Sequence, residues 1–162
     1  MLEGVLAAVQ DIAPVVALRR SIWVYPLVNA GHIVGLALLF GAIVPLDLRL
    51  AGAWPGIPLR TMARTLLPVA VTGLTLAVLT GSLLFSVRAV EYAGITMFRI
   101  KLLLIAAALT NALLLHRSLA WEAAHQGADT LAPPPRLRIA GGLSIALWLA
   151  VIVAGRLIGY LE

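Results

Sequence analysis

Cysteine is absent from the 162-residue sequence, which excludes disulfides, thiolate metal sites and cysteine nucleophiles. Charge is scarce as well. Charged residues make up 12% of the chain, against roughly 25% in a soluble domain whose surface must stay hydrated. With only seven acidic residues, no paired-carboxylate site can be assembled from the sequence. There is no nucleophile elbow, phosphate loop or metalloprotease motif. Three methionines without cysteine make a poor copper(I) pathway. Enzyme chemistry of the soluble types is therefore not written in the chain.

Hydrophobic residues, by contrast, fill 62% of it, and the mean hydropathy is +1.03. A surface with so little charge must face lipid. The net charge of +5 comes from 12 basic residues, 11 of them arginine. These flank apolar runs, so they read as anchors to lipid headgroups rather than as a nucleic-acid surface.

Four apolar segments are long enough to cross a hydrocarbon core, which takes roughly 20 helical residues. They span about 23–46, 66–87, 98–121 and 139–160. Backbone groups in lipid must bond within their own segment, and no alternating barrel pattern is present, so the spans are predicted helices. Ahead of them, Leu2, Val5, Leu6, Val9, Ile12 and Val16 recur at helical spacing with Glu3, Gln10 and Asp11 elsewhere on the wheel. That pattern predicts an amphipathic helix over 1–18 lying in the interface, bent at Pro14, with Arg19 and Arg20 at headgroup level. The expected architecture is one all-α domain over 1–162, an integral membrane four-helix bundle behind an interfacial helix. Residues 91–96 form a short link, and Gln126 to Pro135 a polar connection containing His125. Basic residues are shared evenly between the two sides, and their closeness to the membrane on the terminal side favours cytoplasmic termini.

Histidine is the side chain that stands out inside the spans. His32 lies in the first, His116 late in the third, and these two helices run in the same direction. Ionisable residues within a membrane mark function by default. Two imidazoles on facing helices would hold haem b through both faces of its iron. The competing reading gives each histidine a packing role, hydrogen-bonded to a neighbouring helix. The haem reading requires equal depth, which is met if the third helix continues through Trp121. Arg20, Arg99 and Lys101 would then balance the propionates, or else act as snorkelling anchors. Gly35 and Gly73 would either leave room for the porphyrin or let helices approach closely. Asp47 and Arg49 pair locally or with Arg117. Trp121 is expected at the interface, and Ser144 and Trp148 inside.

Trp23-Val24-Tyr25-Pro26 with Gly31-His32, then Val44-Pro45-Leu46-Asp47-Leu48-Arg49, resembles the first span of a family of small bacterial four-span membrane proteins catalogued as a domain of unknown function. The likeness extends through Leu67-Pro68, Phe98-Arg99-Ile100-Lys101, Asn111-Ala112 with His116, and Gly155-Arg156 with Tyr160. It implies a histidine at the positions of His32 and His116, and a home in the bacterial inner membrane. A looser likeness to four-helix di-histidine b-type cytochromes is analogy of fold. The preferred expectation is a b-type cytochrome with haem b between spans one and three. It would pass electrons between quinone and a partner redox subunit, or work as a homo-oligomer. A non-redox scaffold or anchor subunit is the alternative, and a conduit at the helix interface a third.

Overall fold

The computed structural model describes residues 2–126 and 133–160, apart from the side chains of residues 2 and 124–126. Two short helices, α1 (Leu2–Asp11) and α2 (Ala13–Arg20), precede the membrane bundle. The break falls at Ile12, whose extended backbone lets Pro14 occupy the first turn of α2, where its missing N–H costs nothing. Arg19 and Arg20 end α2, and Ser21 Oγ accepts from the Val24 amide at 3.0 Å as the chain turns into the first span.

That span is α3 (Val24–Ala51). It is followed by α4 (Leu59–Val87), a short α5 (Ala89–Gly94), α6 (Thr96–His116), α7 (Leu119–Gln126) and α8 (Pro135–Ile158). Helices α3, α4, α6 and α8 are each long and apolar enough to cross a membrane, and no strand occurs among the described residues. Large apolar side chains point outward along them, with Leu79, Leu103 and Ile139 61%, 70% and 70% exposed. Such a surface is stable against lipid and not against water.

The spans run past the apolar windows at several ends. α3 continues five residues beyond Leu46 because a Schellman motif closes it. Gly52 adopts φ +110°, its amide reaches Arg49 O, and the Ala53 amide reaches Leu48 O at 2.9 Å. α4 begins at Leu59, directly after Pro58. The link at 91–96 is largely the helix α5. The third span stops at His116 instead of continuing through Trp121. Ser118 Oγ donates to Leu115 O at 2.7 Å and accepts from the Trp121 amide at 3.2 Å. One hydroxyl thus closes α6 and caps α7. His125 and the residues 127–132 of the polar connection lie outside what is described in side-chain detail.

Within the bundle α3 packs on α4 and on α8, and α8 packs on α6. Neighbours are antiparallel. The α3–α4 seam is the tightest. A Cβ at Gly35 would come within 2.6 Å of Ala77 N and 2.9 Å of Gly73 O, and one at Gly73 within 2.7 Å of Gly35 O. Gly141 does the same for the α3–α8 seam, 2.6 Å from Asp47 O. By contrast, no Cα of α4 lies within 8 Å of one in α6. The four spans therefore follow the order α4, α3, α8, α6, with the last side of the square open.

Candidate functional site

The open side holds a pocket of about 360 Å³, within the range of small-molecule sites. α4 and α6 form its walls, and His32 of α3 and Trp148 of α8 its back. Toward α5 it is bounded by Phe85 and Phe98, whose rings stack at 5.2 Å and 9°, with Tyr92 against Phe98 at 5.8 Å. Val78 and Leu102 line it from the two walls and are half exposed. The pocket thus opens sideways, toward the space lipid occupies.

His32 is fixed from the α4 side. Its Nδ1 lies 2.9 Å from Ala77 O and 3.2 Å from Thr80 Oγ1. A carbonyl can only accept, so Nδ1 carries the proton. Thr80 gives its own proton to Leu76 O at 2.6 Å and can offer Nδ1 a lone pair. In the neutral imidazole Nε2 is left with a lone pair and without a hydrogen bond to the described protein. Gly81 is what lets the ring lie here, because a Cβ at that position would be 2.9 Å from His32 Cε1.

Lys101 enters the same pocket from α6. Its Nζ lies 3.3 Å from where a Cβ on Gly155 would stand, so that glycine clears the side chain's path. No carboxylate pairs with the ammonium among the described residues. An unpaired cation in an apolar pocket is costly, and such groups mark ligand sites.

The other residues expected at a haem site lie elsewhere. His116 is exposed at the far end of α6, with Nδ1 2.7 Å from Ala112 O and its ring 4.6 Å from Trp121. It stands fifteen residues beyond Lys101 on one helix, about 22 Å along the axis at 1.5 Å per residue. His32 shares a pocket with Lys101, so the two histidines sit near opposite ends of the bundle. Haem b ligated by both does not fit, since both nitrogens must reach one iron. The expected equal depth fails because α6 ends at His116. Arg99 is exposed and donates from Nε to Ala93 O at 2.9 Å, tying α6 to α5. Arg20 is exposed at the end of α2. Gly35 and Gly73 are occupied by helix packing rather than by open space. Of the expected set, the structure brings together His32 and Lys101.

A second polar layer lies toward the other end of α3. Asp47 is buried beside Ser144 of α8, with Oδ2 lacking a partner. Asn111 Nδ2 donates to Ala140 O at 3.0 Å. Arg49, 2% exposed, donates from Nε to Ile57 O at 2.6 Å and from Nη2 to Pro55 O at 3.4 Å. Asp47 and Arg49 do not pair, because residues two apart face different sides of a helix. Arg49 instead straps the loop after α3. Between the two polar layers the interior is apolar, built on Leu39, Ala42, Ala70, Ala108, Trp148 and Val151.

Sequence reasoning singled out His32 and Lys101 but missed their settings. Neither Gly81 nor Thr80 carries a signal in the sequence that sets it apart from other small residues of the spans. Gly155 carried a usable signal, standing seven residues after Trp148, and so on the same face of α8. Trp121, expected at the interface, is buried with Leu46, Leu50, Leu59 and Leu137.

No protein-family model, curated protein or solved structure matches this chain.

Proposed function

We propose that this multi-pass membrane protein is a receptor for a lipid-soluble molecule of the quinone class, admitted sideways from the bilayer between α4 and α6. The bilayer in this reading is the bacterial cytoplasmic membrane. The observation that carries the proposal is the Lys101 ammonium, without a carboxylate partner among the described residues, sharing a largely apolar pocket with His32 and Ser82. A quinone has a flat apolar ring, oxygen atoms at its edge and an isoprenoid tail. The ring matches walls that include Phe85, Phe98 and Trp148. A ring oxygen accepts from Lys101, which relieves the uncompensated donor. The tail remains in lipid through the mouth at Val78 and Leu102. The site binds and orients its ligand, and redox chemistry belongs to the quinone itself.

The test uses purified full-length protein in nanodiscs and a short-tailed benzoquinone carrying a photoreactive tail group. Cross-links should map to α4 and α6 near Val78 and Leu102, and an untagged quinone should compete them away. Val78→Trp should fill the mouth and abolish labelling, since that side chain lines the pocket and is half exposed. His116→Ala, distant from the pocket, should change nothing. Labelling spread evenly over the lipid faces of all four spans, without competition, would refute the proposal.

A further inference from the structure

The same pocket contains a chemical asymmetry that goes beyond binding. We infer that the locked tautomer of His32 makes the site selective for the reduced, hydroquinone form of its ligand. This inference rests on the quinone-class pocket and concerns the redox state it prefers.

His32 Nδ1–H is committed to Ala77 O at 2.9 Å, with Thr80 Oγ1 behind it at 3.2 Å. Both groups belong to α4, and the hydroxyl is itself held by Leu76 O. The ring packs over Gly81, so a flip that exchanged its nitrogens would give up the Ala77 bond. The protein thereby presents the pocket with one group that can only accept, Nε2, and one that can only donate, the Lys101 ammonium, beside the Ser82 hydroxyl, which can do either. A quinone carries only acceptors on its ring. It satisfies Lys101 but sets a carbonyl lone pair against the Nε2 lone pair. Two-electron, two-proton reduction places a hydrogen on each ring oxygen. One hydroxyl can then donate to Nε2 while the other oxygen still accepts from Lys101. The Ser82 hydroxyl can serve either form, whereas of the two one-way groups the oxidised ligand meets only Lys101 and the reduced ligand meets both. A single hydrogen bond of this kind is worth about tenfold in affinity.

The experiment measures equilibrium binding of one short-tailed quinone to nanodisc-embedded protein in two states, oxidised, and fully reduced under anaerobic dithionite. The expected ratio is about tenfold in favour of the hydroquinone. This corresponds to an upward shift of about 30 mV in the midpoint of the bound couple. His32→Gln, a near-isosteric change whose amide can turn either way, should bring the ratio to within about twofold of unity while both forms still bind. His32→Ala should do the same. Lys101→Met should weaken both forms together and leave the ratio in place. Equal affinity of the wild-type protein for the two forms overturns the inference and leaves the pocket standing. A ratio that survives both His32 substitutions overturns it as well. Failure of both forms to bind, or binding unaffected by Val78→Trp, removes the pocket and the inference together.

Discussion

Replacing Lys101 by methionine should make the protein more stable while weakening the binding of its ligand. Lys101 stands five residues into α6, about 7.5 Å from the helix start. Its ammonium has no counter-charge among the described residues. At the centre of a membrane helix a lysine costs about 2.5–3.5 kcal/mol by insertion scales. The shallower depth and the half-open pocket reduce that, so the expected gain is about 1–2 kcal/mol. Methionine keeps an unbranched stem of similar length, fills the channel beside Gly155 and opens no cavity. For a chain of this size the gain corresponds to a rise in Tm of about 2–8 °C. Thermal unfolding in detergent, followed by tryptophan fluorescence and by helical circular dichroism, measures it. Arg156→Met is the control, because that exposed guanidinium lies over Tyr160 rather than in the pocket, and its change should stay within about 0.5 kcal/mol. A Tm that falls or stays level in Lys101→Met would mean the ammonium is already satisfied as an interfacial anchor. Lys101 would then have no unmet need for a ligand acceptor.

Gly73→Val should destabilise the bundle by about 1–3 kcal/mol through overpacking, since its Cβ would collide with the backbone of Gly35 on α3. Gly142→Ala, with nothing within 4 Å, should be neutral or stabilising by up to about 1 kcal/mol on helix propensity, and equal effects at the two glycines would contradict the packing described. Arg49→Met should cost about 1–3 kcal/mol, because it strands the Ile57 and Pro55 carbonyls. It should also open the 52–58 loop to limited proteolysis, and a loop as resistant as wild type would show that Arg49 does not hold it.

The four spans and the helical N-terminal segment ahead of them were legible because both depend on local signals, namely the length of apolar runs and helical periodicity. The ends were less so. α3 outlasts its apolar window because Gly52 can adopt a left-handed backbone, and that capacity shows only as one glycine among several in the 51–58 breaker. α6 stops where Ser118 caps the next helix. Nothing in hydropathy distinguishes that serine from one exposed on a continuing helix, and the expected equal depth of His116 and His32 rested on continuing α6 through Trp121, about one and a half turns further. The site was half visible. His32 and Lys101 stand out as ionisable groups in apolar sequence, but which neighbours they meet depends on helix order, and helix order is a property of three seams at once.

The location of the pocket follows from how glycine is distributed among those seams. Gly35 and Gly73 let α3 and α4 approach until backbones touch, and Gly141 does so between α3 and α8. Such contacts hold membrane helices together where no hydrophobic drive exists between them. α4 and α6 share no such pair. The glycines that border that space, Gly81 of α4 and Gly155 of α8, face the side chains of His32 and Lys101 instead of another backbone. Small residues thus do two different jobs in one bundle. On one seam they close the gap between helices, and at the open one they make room for the two polar groups. A seam closed by α4–α6 packing would have buried Lys101 against apolar side chains with nothing to accept its protons. The unfilled side of the square and the lack of a carboxylate partner for Lys101 among the described residues are therefore one structural fact, and the proposed ligand, entering from the bilayer with an oxygen acceptor, would resolve both.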